Sequence, residues 1–195
     1  MIKYATIVVD PPWPVNHGAA KLESLRGSKL HDLPYKTMTR DGLLSFPMGD
    51  FAAERALLFL WSTSGRLEDG GTVLELAFEL VEKWTFRYRA MLYWDKQGDG
   101  IPKPWTPYRT TVEPVLFCTR GMSQVPPYGR YTDIFRAQQT SHSRKPARFY
   151  QMIREWTPEP RIDLFAREAH EGFAGWGQEY VGEGPLHEYL EVAEK

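Results

Sequence analysis

The sequence predicts an α/β fold with a mainly parallel sheet. Short runs of β-branched and apolar residues alternate with stretches whose apolar residues recur at helical spacing, the mark of strand–helix–strand units. Two long stretches rich in proline and glycine follow the first and third of those runs, where an open α/β sheet builds its binding loops. The first strand spans residues 3–9, with Ile7, Val8 and Val9 leading to Asp10. Pro11, Pro12 and Pro14 stop a central strand there, because proline brings no N–H to the ladder. Residues 14–38 read as a loop, and Thr39 caps a short helix over 39–44. A second buried strand covers Leu57 to Trp61. The helix over Leu67 to Lys83 carries Leu67, Val73, Leu74, Ala77, Phe78 and Val81 near helical spacing. Phe86 to Trp94 forms the third strand, Asp95 to Thr110 a second long loop, and Val112 to Cys118 a fourth strand closed by Arg120-Gly121. Residues 122–140 are irregular. Lys145 to Trp156 is a helix with Pro146 in its first turn, Arg161 to Phe165 a fifth strand, and Trp176 to Val181 a sixth.

Composition narrows the class. A length of 195 residues with 42% hydrophobic content fits one globular domain over residues 1–195. The largest apolar runs, such as Ala56 to Trp61, fall far short of the roughly 20 residues that span a membrane. The N-terminus runs straight into a strand pattern, without a charged-then-apolar leader. One cysteine, Cys118, has no internal partner and sits in an apolar strand. A buried core thiol and a cytoplasmic location follow as expectations. The net charge of −1 hides an asymmetry: residues 85–150 hold eleven Lys/Arg and four Asp/Glu, whereas residues 168–195 hold one Lys and seven Glu. A basic middle suits a polyanion surface, since neutralising phosphates releases counterions.

The four residues Asp10-Pro11-Pro12-Trp13 carry the chemistry. The prolines fix φ and remove two N–H donors, which predicts a rigid corner whose carbonyls have no local donors. An ionised Asp10 only accepts hydrogen bonds, and Trp13 adds an aromatic face. Such a corner suits an exocyclic amino group on a stacked ring, whose nitrogen it would hold in line with an electrophilic carbon. The histidines show no zinc-like spacing, so no metal is expected. There is no Gly-x-Gly-x-x-Gly and no phosphate loop, which disfavours nicotinamide and nucleotide-hydrolysing enzymes.

Asp10-Pro11-Pro12-Trp13 resembles the signature of the MT-A70 adenine-N6 methyltransferases. Further segments resemble that family in its order: Leu33-Pro34-Tyr35-Lys36-Thr37-Met38, Leu58-Phe59-Leu60-Trp61, Trp84-Thr85-Phe86, Trp94-Asp95-Lys96, the run from Glu113 to Gly121, Ser143-Arg144-Lys145-Pro146 through Tyr150, Arg161 to Arg167, and Gly177-Gln178-Glu179. The resemblance covers residues 4–180. It implies a Rossmann-like methyltransferase fold in permuted order, with the catalytic motif before the cofactor-binding segment. It implies S-adenosylmethionine as cofactor and adenine in nucleic acid, DNA ahead of RNA, as substrate. Asp10, Pro11, Pro12 and Trp13 would be catalytic. Asp10 would also meet the methionine amine, Lys145 the cofactor carboxylate, Arg167 and His170 the ribose region, and Gln178 and Glu179 the adenosine. Tyr35 and Trp13 would line the adenine pocket. Trp94, Lys96 and Glu113 would support the base or its loop; Arg109, by contrast, is expected from the charge of the basic middle to contact substrate phosphates. Thr85 stands where the family has glycine, which predicts a less strained turn there. Glu168-Ala169-His170 and Gln178-Glu179 also depart from the family pattern. The expected partners are nucleic acid and a second copy of the chain as a homodimer, with no membrane. Two alternatives stay open: a catalytically inactive nucleic-acid-binding subunit, and a methyltransferase acting on cytosine or a glutamine side chain.

Overall fold

The computed structural model describes residues 2–15, 37–102, 107–121, 129–139, 144–177 and 180. Within these, the elements in chain order are β1 (Tyr4–Val9), α1 (Arg40–Leu44), α2 (Met48–Phe51), β2 (Ala52–Trp61), α3 (Val73–Lys83) and β3 (Arg87–Asp95). There follow β4 (Ile101–Pro102), β5 (Arg109–Thr110), β6 (Val112–Arg120), β7 (Ile134–Arg136), α4 (Ala147–Arg154), β8 (Arg161–Leu164) and β9 (Ala174–Trp176). Seven strands form one sheet in the order β7-β3-β6-β2-β1-β8-β9, and β4 pairs with β5 in a separate hairpin. The pairs β1/β2, β1/β8, β8/β9 and β3/β7 are parallel; only β6 runs against its neighbours β2 and β3. The expected mainly parallel, Rossmann-like α/β sheet is therefore present.

Strand alternation explains the layers. Successive side chains point to opposite faces, and in β1 Ile7 and Val9 join one core while Val8 joins the other. The first core gathers Leu43 of α1, Met48 and Phe51 of α2, and Val73, Leu76, Ala77 and Leu80 of α3. The second gathers Phe149, Tyr150, Met152 and Ile153 of α4. Helices thus cover both faces, which is why the central strands read as continuous apolar runs rather than alternating ones.

Several elements differ from the sequence expectation. Helix α3 starts at Val73 rather than Leu67, because Thr72 accepts from the Glu75 N–H and Glu75 accepts from the Thr72 N–H in a capping box. Before it, the Leu67 N–H donates to the Gly71 carbonyl at 2.8 Å in a turn. Strand β2 begins at Ala52, the second long loop contains the β4–β5 hairpin, and the irregular stretch contains β7. The sixth strand is β9, at Ala174–Trp176 instead of Trp176 to Val181. Thr85 adopts φ +63°, so the turn after α3 is the strained one, contrary to expectation. It reverses the chain as the Thr85 N–H donates to Glu82 O and the Phe86 N–H to Val81 O, both at 2.9 Å. Most of the first long loop, with Tyr35, lies outside the described residues, as do Gln178 and Glu179.

Candidate active site

Strands β1 and β8 lie side by side, and the chain leaves them in opposite directions, β1 to β2 and β8 to β9. Such a reversal opens a crevice at the carboxyl ends of the two strands, where open α/β sheets bind ligands. Asp10 ends β1 there and donates its backbone N–H to Leu164 O at 3.3 Å. The crevice is lined by Asp10, Arg144, Lys145, Tyr150, Asp163, Phe165, Ala166, Arg167, Glu168 and His170. It brings together Asp10, Lys145, Arg167 and His170, from three separate stretches of the chain. Phe165, directly after β8, takes φ +61°, a strained backbone of the kind that collects at functional sites.

Lys145, just ahead of α4, is the hub. Its Nζ lies 3.1 Å from Asp10 Oδ2 and 3.2 Å from Glu113 Oε2, and Glu113 Oε1 lies 2.5 Å from Lys96 Nζ. The four groups form a chain of alternating charge, each mostly shielded from solvent, with side-chain exposures from 13% to 21%. Aromatic rings floor it: Lys145 Nζ sits 4.8 Å from the Trp61 ring centre and Lys96 Nζ 5.1 Å from that of Trp94. Burial alone would discharge Lys145, but Asp10 and then Glu113 outweigh it and raise its pKa. Burial raises Glu113 too, yet Lys145 and Lys96 overcome that and hold its carboxyl below the usual range. Asp10 goes the other way: its burial, aided by Glu113, exceeds the pull of Lys145 and leaves its pKa raised.

A second group borders the crevice. The Tyr150 hydroxyl donates to Asp163 Oδ2 at 2.8 Å, and the Tyr150 and His170 rings stack at 3.4 Å between centres. Burial lifts the Asp163 carboxyl to about 8, against the opposing Tyr150 hydrogen bond, and lowers the His170 pKa. Among the described residues, Asp163 Oδ1 is buried without a hydrogen-bond partner. Sequence reasoning passed over Asp163, although a carboxylate inside the apolar strand Ile162-Asp163-Leu164 was a legible signal.

The remaining candidates take other places. Trp13 and Trp94 are buried, at 7% and 1% exposure, so neither offers an open stacking face. Trp94 Nε1 donates to Ala137 O at 2.8 Å, and its ring supports Lys96 from below. The Pro11 carbonyl accepts from the Trp13 N–H at 2.8 Å and the Pro12 carbonyl from the Met38 N–H at 2.9 Å. The expectation that these carbonyls have no local donors is thus corrected: the chain folds back on them, and each retains one lone pair. Arg109 donates to the carbonyls of Asp99 at 2.5 Å and Gly100 at 2.9 Å, which closes the β4–β5 hairpin.

The site suits the cofactor expected from the sequence. A carboxylate and an ammonium 3.1 Å apart match the two ends of a zwitterionic amino-acid group, whose own ammonium and carboxylate can exchange partners with them. The orphaned Asp163 Oδ1 adds a polar atom that a ligand donor or acceptor would satisfy. Among the described residues, no group of three or more His, Cys, Asp or Glu is placed to hold a metal ion, and no helix is long and apolar enough to cross a membrane.

The MT-A70 family profile matches residues 4–179, from the start of β1 to beyond β9. The chain belongs to the MT-A70 family. Among its MT-A70 relatives, a protein named N(6)-adenosine-methyltransferase MT-A70-like from Arabidopsis thaliana is 26% identical over 183 residues, 89% of this chain and 23% of that protein. A probable protein of the same name from Oryza sativa subsp. japonica is 27% identical over 184 residues, 89% of this chain and 22% of the relative. The type II methyltransferase M.MunI of Mycoplasma sp is 25% identical over 191 residues, 91% of this chain and 78% of that enzyme. The chain therefore spans about a quarter of the length of the plant MT-A70 proteins and most of the length of M.MunI.

Proposed function

We propose that this chain transfers a methyl group from S-adenosylmethionine to the N6 amino group of adenine in nucleic acid, DNA ahead of RNA. The observation that carries the reading is the Asp10–Lys145 pair at the carboxyl end of β1, in the crevice where strand order reverses. Family membership over residues 4–179 supports it. DNA is taken first because the likeness to the type II methyltransferase extends over most of that enzyme.

In this reading the cofactor supplies an electrophilic methyl group. Lys145 holds the cofactor carboxylate, while Asp10 accepts from its ammonium and from the adenine amine. An Asp10 carboxylate draws electron density toward that nitrogen and aligns its lone pair, so it acts through position and electrostatics. Glu113 keeps Lys145 charged as Asp10 exchanges partners. Arg167 and His170 border the ribose side, and the motif at β1 precedes the cofactor segment at β8 in the permuted order the family resemblance implies. Tyr35, Gln178 and Glu179 keep their expected roles toward adenine and cofactor in this proposal.

The test incubates the chain with methyl-labelled S-adenosylmethionine and either DNA or RNA, then digests to nucleosides. Label is expected in N6-methyladenine from DNA. The Asp10→Asn variant should stay folded and lose activity by about a hundredfold, the loss of roughly 3 kcal/mol of transition-state stabilisation. Label in cytosine, or none in any nucleoside, would sink the reading.

A further inference from the structure

A second cavity, of about 290 Å³, lies at the same edge of the sheet and is lined by Lys96, Gln97, Gly98, Asp99, Gly100, Thr110, Gln138 and Gln139. Its walls are the turn after β3 and the segment after β7, and Asp95 ties them together. The Asp95 Oδ1 accepts from the Gln97 N–H at 3.0 Å, its Oδ2 from Arg136 Nε at 3.2 Å, and its carbonyl from the Ala137 N–H at 3.2 Å. Gln97 is held at φ +54°, a conformation that a non-glycine residue keeps only where its surroundings enforce it.

The chemistry of the lining selects its occupant. Among the described residues, three carboxamides, a threonine hydroxyl and glycine backbone present mixed donors and acceptors, with no aliphatic or aromatic side chain. An anion is disfavoured: Asp99 faces the space, and Lys96, the one cation among the described lining residues, is already paired with Glu113 at 2.5 Å. A planar heterocycle with donors and acceptors along one edge fits, because a carboxamide offers a matched donor and acceptor to a base edge. The occupant is not the target base. Glu113 and Lys145 stand between Lys96 and Asp10, so an amine held here does not reach Asp10.

We propose that this cavity takes the base of a nucleotide flanking the target adenine, and that the Gln97 and Gln138 carboxamides read its edge. The proposal rests on the reading of the chain as a nucleic-acid adenine methyltransferase. It makes both glutamines specificity-determining residues without a part in methyl transfer.

The test measures methylation of DNA duplexes that carry one adenine, with the neighbouring positions varied in turn. The wild type should show a base preference at one neighbouring position of about tenfold or more. The double variant Q97A/Q138A should level that preference while the disfavoured sequences keep their rate and calorimetry finds cofactor affinity unchanged. Gln138→Glu, which leaves only acceptors, should move the preference toward cytosine, whose exposed edge donates. An unaltered preference in the double variant overturns the proposal, as does a wild type indifferent to every neighbouring base. So does a folded double variant that methylates nothing, since that would assign the glutamines to catalysis. If the wild type methylates no adenine at all, the parent reading falls and this proposal with it.

Discussion

At the scale of single residues, the centre of the site is a contest between burial and charge. Lys145 stays protonated because two carboxylates face it, while at Asp163 burial outweighs the opposing Tyr150 hydrogen bond and carries the carboxyl to about 8. That value has a consequence for stability. An aspartate with a folded pKa above its unfolded value of 3.8 contributes stability that is full below pH 4 and is lost as the pH rises toward about 8. Each pH unit in that window costs up to about 1.4 kcal/mol. Asp163→Asn keeps an acceptor for the Tyr150 hydroxyl and removes the titration. Its melting temperature should match the wild type near pH 4 and exceed it increasingly toward pH 8. Parallel melting curves across that range would show that Asp163 is ionised in the folded protein. Asp10 was legible from its motif; the state of Asp163 was not, because burial among Tyr150, His170 and β1 is a property of the assembled crevice.

At the scale of elements, the turn from α3 into β3 carries strain that its sequence conceals. Thr85 is β-branched and sits at φ +63°, a region that costs L-residues roughly 1–2 kcal/mol. The conformation is imposed from both sides, by the α3 carboxyl end and by the entry of Trp84 and Phe86 into the first core. Thr85→Gly should therefore stabilise the protein by about 1 kcal/mol, read as a higher denaturant midpoint at unchanged slope. A lower midpoint would mean that the Thr85 hydroxyl, which donates to Trp84 O at 2.6 Å, outweighs the strain. The long central strands were readable as apolar runs. Strand β7, only Ile134–Arg136, was not, since three residues carry no period and its pairing with β3 exists only in the sheet.

At the scale of the whole molecule, the basic middle of the chain divides. Arg87, Arg89 and Arg120 sit at the end of β3 and β6 opposite the site, since Arg87 pairs with Thr119 and Arg120 with Ala56. Arg130 stacks on Tyr131, whose hydroxyl meets Glu155 just past α4, away from Asp10. Lys96, Arg109, Arg136, Arg144 and Lys145 are on the site edge. The single phosphate surface expected from composition is corrected accordingly, because β6 runs antiparallel and carries its last residues away. If Arg109 and Arg136 meet phosphates of duplex DNA, log affinity against log salt should fall with a slope of about −2. Arg136→Ala should flatten the slope by about one, and Arg120→Ala should leave it unchanged. A slope that responds to Arg120 instead would place the nucleic acid on the opposite edge.

The residues expected to meet cofactor and base came from the family resemblance; by itself the sequence determined the alternation of strands and helices and the proline corner at Asp10. These follow from local rules: residue shape fixes strand and turn, and side-chain chemistry fixes what each group accepts or donates. Only the tertiary structure decided which of those groups meet. It joined Asp10, Glu113 and Lys145, from β1, β6 and the approach to α4, into one charged chain. It also turned Trp13 from an open face into a buried side chain, set Trp94 beneath Lys96 and closed Arg109 onto its hairpin. Burial and ion pairing between distant segments depend on strand order and direction, which no local stretch of the chain encodes.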